Sequence, residues 1–495
     1  MLIKNLWIQA QCRGMKRRRF IELLSMGGLA AVHMAFKEWE IPAQDQDCIV
    51  IGSGPIGVAS AIKLAENGKR VLVLEAGDAI SQPAGSHFRN QPKFEENPDS
   101  YFDAISPFLK TFTDSQNTVL PGLADSNLYG GQGVIWTNNC PRASEFELWK
   151  ALPSKKWDDR YSEAEKALGV NPDPSANSFT GNTVKSILQK NLKNGRHIRG
   201  LPFSGKVDND GNTYFNAPWD MLNKVQEKVY KRIQIRSNTK VLKIIHDKGQ
   251  VRGVSIKGSN DQNVTLKTSN LLMACGAVGT PQLLINSGIM LDALGKGFSF
   301  HSLYFGQIII NSEFAAPASE RDLPTRLWIP PTEKKPWHIQ VLRDTFPIPT
   351  NEAVKNSNRL LEFQAFLPIE YREENTLVFT EGSPTVVQFN FSDNDKYKMK
   401  EVEKDIEKLA NSIGRWRKGG EPVWIPQGTA HLVGTCRMDL PDWKGVADNN
   451  GQVHGFKNLY IASVGLIPCQ VAVNPTLTAA ALALNTVDEI LRQTK

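Results

Sequence analysis

The 495-residue chain has no run of eighteen apolar residues, which excludes a bilayer-spanning helix by hydropathy. Cysteine is scarce and unpatterned. The six residues, Cys12, Cys48, Cys140, Cys275, Cys436 and Cys469, show no CxxC spacing, and several sit in apolar contexts. They read as buried free thiols rather than a disulfide framework or metal ligands, and no metal site is expected. A strong charge of either sign is also missing. The net charge is +7, but residues 1–44 hold seven Lys or Arg against three Glu, leaving +3 scattered over the rest. That pattern argues for a solvated surface and against a nucleic-acid partner. Internal repeats and low-complexity linkers are absent. What remains is an ordinary globular composition, 41% hydrophobic and 22% charged, in a chain longer than one core usually holds, so two lobes are expected.

The most informative stretch runs from Asp47 to Gly77. Cys48-Ile49-Val50-Ile51 is a short apolar run of the kind buried in a parallel sheet, and it leads into Gly52-Ser53-Gly54-Pro55-Ile56-Gly57. Gly52 permits a tight turn, Gly54 lets the backbone approach a pyrophosphate, and Gly57 lets the next helix pack closely on the strand. Val58, Ala61, Ile62 and Ala65 form one face of that helix, and Asn67-Gly68 supplies a left-handed stop. A second strand, Val71 to Leu74, ends in Glu75, placed to accept from both ribose hydroxyls of an adenosine. Strand, glycine turn, helix, strand and terminal acid together predict a dinucleotide site; the alternative is a plain βαβ turn.

Further along, Tyr129-Gly130-Gly131-Gln132-Gly133-Val134-Ile135-Trp136 places three glycines in four positions, either a simple loop or a close backbone approach to a planar or anionic ligand. Helical patterns cover Glu163 to Leu168 and Trp219 to Val229, and a strand pair is read at Ile233 to Ile245 and Val251 to Ile256. Leu271 to Leu284 is a second strand-to-helix crossing, with Pro281 near the helix's first turn. From about 297 to 422 the runs turn β-rich, as in Tyr304 to Ile310 and Thr385 to Phe391, with a helix over Lys400 to Ile413. The last seventy residues return to the earlier style. His431, one of eight histidines, sits in a glycine-punctuated segment, Asn458 to Ala462 reads as a buried strand, and Asn474-Pro475-Thr476 opens an apolar-striped helix with Asn at the N-cap and Pro at N1. Such a helix aims its positive end at whatever lies in front of it.

In this order these motifs resemble the glucose-methanol-choline family of flavin oxidoreductases over most of residues 45–495. The segments Ala430 to Thr435, Gly455 to Leu459 and Asn474 to Ala479 are similar to its pyranose oxidases and bacterial glycoside oxidases. The resemblance implies FAD as cofactor, His431 as catalytic base, Asn474 as its partner, and a sugar or glycoside hydroxyl at C2 or C3 as the group oxidised. The cofactor contacts it implies are Gly52, Gly54, Pro55, Ile56, Gly57, Glu75, Gly130, Gly131, Gly133, Ile135, Val241, Ala274, Gly276, Asn474, Pro475 and Thr476. Fungal pyranose oxidases bind their flavin covalently through a His where this chain has Ile135, so a noncovalent FAD is expected. Asp439 stands where the family has a small residue. The chemistry is coherent by itself, since oxidising an alcohol needs a base to take the hydroxyl proton as hydride leaves the carbon. A dehydrogenase for sterols or aliphatic alcohols and a noncatalytic flavin-binding protein are the competing classes; dioxygen, a quinone or a cytochrome would each serve as electron acceptor.

The expected fold is α/β, a Rossmann-like FAD-binding lobe with a second, β-rich α+β substrate lobe. Residues 1–44 would be a leader and linker and 45–296 the FAD lobe, with substrate-lobe segments inserted at about 144–235. Residues 297–422 would be mainly substrate lobe, and 423–495 a return to the FAD lobe. The leader Lys16-Arg17-Arg18-Arg19-Phe20-Ile21, ahead of the Gly- and Ala-containing segment to Phe36, resembles a twin-arginine signal and implies export to the periplasm; a basic cytosolic tail is the alternative.

Overall fold

The computed structural model describes residues 46–494 except 93, 95–103, 115, 117–118, 150–153, 259–261, 318, 344–357, 380–384, 426–430 and 441–443. The leader reading, Cys12 and Ala430 lie outside the described residues.

Two sheets set the architecture. The first is five-stranded and parallel, in the order β9 (Leu459–Ile461), β4 (Leu271–Met273), β1 (Cys48–Ile51), β2 (Val71–Leu74) and β3 (Ile233–Arg236). Four of its five strands, all but the edge strand β3, are buried along their whole length, as expected for strands covered on both faces. Helices α1 (Pro55–Glu66) and α5 (Thr476–Gln493) pack on it, with α2 (Ser154–Leu168) against both. In α1 the buried Val58, Ala61 and Ala65 face inward, and the helix ends at Gly68 in the left-handed conformation (φ 85°).

The second sheet is antiparallel. Its centre is β5 (His301–Ile310), β8 (Leu360–Pro368), β7 (His338–Leu342) and β6 (Arg326–Ile329). Side chains alternate across it with period two. Ile308, Ile310, Leu327, Ile329, Ile339, Val341, Phe363 and Ala365 face a separate core closed by Val402, Ile406 and Leu409 of α4 (Asp393–Asn411). The register puts Leu303 opposite Phe366, His338 opposite Phe366, Gln340 opposite Gln364, and Trp328 opposite Gln340. His301, Leu303, Gln364, Phe366, His338, Gln340 and Arg326 therefore share the other face, which looks toward the first sheet.

Four local expectations are corrected. The strand read over Ile233 to Ile245 is two: β3 belongs to the parallel sheet, Asn238 turns at φ 51°, and Val241–Asp247 pairs instead with Gln250–Lys257. The helix read over Trp219 to Val229 is broken into Pro218–Asn223 and Glu227–Tyr230, with Gln226 extended; Met221, Leu222 and Val229 bury their side chains from separate pieces. Pro281 lies in the middle of α3 (Gly276–Asn286), not in its first turn. The Ala277 carbonyl that would lose its helical donor there accepts from the Thr435 hydroxyl at 2.6 Å instead. Finally, α5 starts at Thr476 with Pro475 in the cap position, so Asn474 lies before the cap and makes no capping bond. The free cysteines among the described residues are Cys48, Cys140, Cys275, Cys436 and Cys469.

Candidate active site

Between the two sheets lies a cavity of about 560 Å³. Three helix N-termini open on it: α1 at Gly54 and Pro55, α3 at Gly276, and α5 at Pro475 and Thr476. Each presents unsatisfied N–H groups and a partial positive charge, an arrangement that favours anionic groups in the cavity.

The nucleotide end is built by the glycine turn. Gly52 has φ 104°, and a Cβ there would stand 2.4 Å from the Ala274 carbonyl oxygen; a Cβ at Gly57 would stand 2.1 Å from the Gly52 carbonyl oxygen. Both glycines are demanded by the protein's own packing. Gly54 differs, because its backbone is extended and the nearest atom a Cβ would meet is the Gly130 oxygen at 4.0 Å. The space in front of Gly54 belongs to the cavity, the feature expected where a pyrophosphate comes close to the main chain. Glu75 is buried, and its carboxylate accepts from the Ser53 amide (3.0 Å), the Ser53 hydroxyl (2.8 Å) and the Gly77 amide (2.7 Å). Burial raises its pKa against these hydrogen bonds, the Gly77 amide foremost among them. Three of a carboxylate's roughly four lone-pair directions are thus occupied, leaving room for about one ribose hydroxyl and not the two expected from sequence. Glu75 first shapes the turn, and only then can serve a ligand.

The Ser53 hydroxyl also accepts from the Gly130 amide at 2.8 Å, tying the second glycine loop to the first. Gly130 itself does not line the cavity; its φ of 94° and the nearness of the Val134 side chain make it a turn residue. Gly131, Gly133 and Ile135 do line it, together with Ile56, Val241 and Ala274. The loop's far side is pinned by buried groups. His87 Nε2 bonds the Trp136 carbonyl at 3.0 Å, and Asn138, at φ 58°, donates to the Ser204 and Asn216 carbonyls. Asp439 accepts from the Gly445 amide (2.6 Å) and His454 Nε2 (2.9 Å), so the departure from the family at that position is absorbed by its own loop.

His431 and Asn474 meet at the other end, with His431 Nε2 3.5 Å from Asn474 Nδ2. Gln340 Nε2 donates to Asn474 Oδ1 at 2.7 Å, which directs the Asn474 NH₂ group toward the imidazole. Gln340 Oε1 in turn accepts from Asn139 Nδ2 (2.8 Å), whose Oδ1 accepts from Arg326 Nη2 (3.2 Å). On its other side His431 Nδ1 lies 3.0 Å from His301 Nδ1. Burial holds the His431 pKa well below its ordinary value, with nearby His301 adding to the effect, so the ring is neutral and carries one lone pair that can accept a hydrogen bond. Leu303, Gln364, Phe366, Asn139 and Trp136 complete this end.

Reasoning from sequence missed His301, Gln340, Asn139 and Arg326. The available signal was polar alternation inside apolar strands, as in His338-Ile339-Gln340 and Arg326-Leu327-Trp328. Two charged groups of the second lobe have other partners: Arg326 is buried behind Asn139, and Asp405 is held by Arg196 and Lys335. Around His431 the lining includes the amide side chains of Asn139, Gln364 and Asn474.

The N-terminal GMC oxidoreductase family model matches residues 141–303 and the C-terminal one residues 382–483, and an NAD(P)-binding Rossmann-like domain matches residues 50–114. Pyranose 2-oxidase of Tricholoma matsutake is 26% identical over 90% of this chain and 93% of its own. C-glycoside 3-oxidase of Arthrobacter globiformis is 24% identical over 88% and 93%. Among solved structures, formate oxidase of Aspergillus oryzae aligns with a TM-score of 0.67 at 16% identity, covering 91% of this chain and 99% of that one. Pyridoxine 4-oxidase from Mesorbium loti gives 0.64 at 15% identity, over 90% and 99%. Family matches, fold and a cavity shaped for a dinucleotide agree: the chain belongs to the GMC oxidoreductases, as an FAD-dependent enzyme acting on CH–OH groups.

Proposed function

We propose that this enzyme oxidises a secondary hydroxyl, at C2 or C3, of a pyranose sugar or glycoside to the keto sugar. The observation that carries the reading is the pairing of His431 Nε2, an acceptor, with Asn474 Nδ2, a donor, 3.5 Å apart in the cavity that holds the glycine turn. An alcohol oxygen needs both at once. Its proton is donated to Nε2 while its lone pair accepts from the Asn474 amide, which keeps the oxygen in line as the proton moves. FAD bound in the cavity supplies the acceptor for the hydride that leaves the carbon. Gln364 and Asn139 offer amides to neighbouring ring hydroxyls, and Phe366 and Trp136 offer apolar faces to the ring, a lining suited to a polyol more than to a sterol. The relatives named for oxidation at pyranose C2 and glycoside C3 support the same class.

The test is anaerobic. Pyranoses and glycosides are expected to bleach the flavin spectrum of the purified enzyme, and sterols and aliphatic alcohols to leave it unchanged. Bleaching by the latter group alone would overturn the reading.

The flavin is held without a covalent bond in this proposal, because the aliphatic Ile135 at the cavity wall offers no nucleophile. Acid precipitation is then expected to release all the yellow colour to the supernatant; colour retained in a washed pellet would contradict it.

A further inference from the structure

We propose that His301 is a positioning residue that sets the tautomer of His431, keeping its Nε2 free of a proton and available to the substrate hydroxyl. The inference rests on His431 being the base, as proposed above, and adds a residue that nothing in its immediate sequence marks.

A neutral imidazole has one N–H and one lone pair, so a histidine's tautomer is decided by what its two nitrogens face. His301 Nε2 faces the carbonyl oxygen of Val471. A carbonyl only accepts, so Nε2 of His301 carries the proton and its Nδ1 is an acceptor. That acceptor lies 3.0 Å from His431 Nδ1, which must then donate. The proton of His431 is thereby held on Nδ1, and Nε2 is left bare.

A second chain reaches the same nitrogen from the opposite direction. Arg326 can only donate, and its guanidinium gives a hydrogen to Asn139 Oδ1. That fixes the Asn139 NH₂ as donor to Gln340 Oε1, the Gln340 NH₂ as donor to Asn474 Oδ1, and the Asn474 NH₂ as the group that faces His431 Nε2. A donor facing Nε2 requires a lone pair there. Each chain begins at a group with a single possible role, and the two agree where they meet. With the other tautomer of His431, two lone pairs would face each other between the histidines and two N–H groups would oppose each other at Asn474, each a buried mismatch.

The framework around His301 is hydrogen-bonded on both sides. The backbones of Ser299 and Val433 exchange two hydrogen bonds (3.1 and 2.9 Å), which keeps the approach to β5 in register with the segment carrying His431. Next to Val471, the Ala472 amide donates to the buried Glu147 carboxylate at 2.5 Å. Burial lowers the His301 pKa to about 4, so the ring is neutral in the working range. The chain ends at a carbonyl that takes no proton, so His301 orients the base and does not relay a proton away from it.

The experiment uses the holoenzyme labelled with ¹⁵N-histidine, with the His431 signals identified by their loss in His431→Ala. The wild type is expected to show His431 protonated at Nδ1 and unprotonated at Nε2. In His301→Leu, which offers no acceptor, His431 should populate the Nε2–H form and flavin reduction by sugar should slow about ten- to hundredfold. His301→Asn, whose side-chain oxygen can accept from Nδ1–H, should recover the wild-type tautomer and most of the rate. A wild-type His431 protonated at Nε2 overturns the proposal whatever the variants do, and so does a His301→Leu enzyme with both tautomer and rate unchanged. The spectrum needs no substrate, so its failure is distinct from failure of the sugar-oxidation reading, which the anaerobic panel tests.

Discussion

His431→Ala is expected to bind FAD as the wild type does and to be reduced by sugar at least about a hundredfold more slowly, within the 10²- to 10⁴-fold typical for removal of a positioned base. The two effects separate because the residues belong to different parts of the cavity. On the proposed reading FAD would be held by the turn that carries Gly54 and by the helix ends of the first sheet, whereas His431 sits against His301 and Phe366 of the second. Asn474→Ala should slow reduction less, since the base remains. No loss of a helix cap is expected from it, because Asn474 caps nothing. Its cost to folding should instead be about 1–3 kcal/mol from the Gln340 amide left without its acceptor. Stopped-flow reduction under argon, with flavin content measured on the same samples, checks both variants. A His431→Ala enzyme reduced at the wild-type rate would place the base elsewhere.

The second large effect concerns two glycines three residues apart. Gly54→Ala is expected to leave the apoprotein's melting temperature unchanged and to raise the Kd for FAD about tenfold or more, some 1.4 kcal/mol. Its Cβ would meet no protein atom nearer than 4.0 Å and would project into ligand space. Gly57→Ala is expected to do the reverse first. A Cβ 2.1 Å from the Gly52 oxygen forces α1 away from the turn, an overpacking cost of about 1–3 kcal/mol in the apoprotein itself, with FAD binding lost as a consequence. Thermal denaturation of both apoproteins, followed by fluorescence titration with FAD, separates the cases. Equal destabilisation by the two alanines would remove the distinction between a packing glycine and a ligand glycine.

The parts legible from sequence are those in which neighbouring residues specify one another. Gly52, Gly57, the α1 face of Val58, Ala61 and Ala65, and the strand ending at Glu75 lie within thirty residues and make a single supersecondary unit, so spacing alone constrains them. His431 and Asn474 stand out against glycine-rich and helix-opening surroundings. Here too the sequence suggested a plausible local role that tertiary contacts replaced: Asn474 looked like a helix cap, yet its side chain is taken by Gln340 and directed at His431. Glu75 looked free for ribose, and Ser53 and Gly77 occupy most of it. His301, Gln340 and Arg326 were hidden for another reason. They lie on three different strands, and only antiparallel pairing places them on one face. The polar alternation within a strand marks which face is polar but carries no information about which side chain on another strand is its partner. The broken helix at Gln226 and the separation of β3 from Val241–Asp247 are likewise decided by which surface each piece packs on, which propensity does not encode.

The central claim is that this cavity abstracts a proton and a hydride from one secondary carbinol of a sugar ring. Its most direct measurement is the anaerobic rate of flavin reduction by a bleaching pyranose carrying deuterium at C2 in one sample and at C3 in another. The account predicts slower reduction with deuterium at one of these two carbons and an unchanged rate with the other. Equal rates with both, alongside slowing by deuterium at C1 or C6, would contradict it.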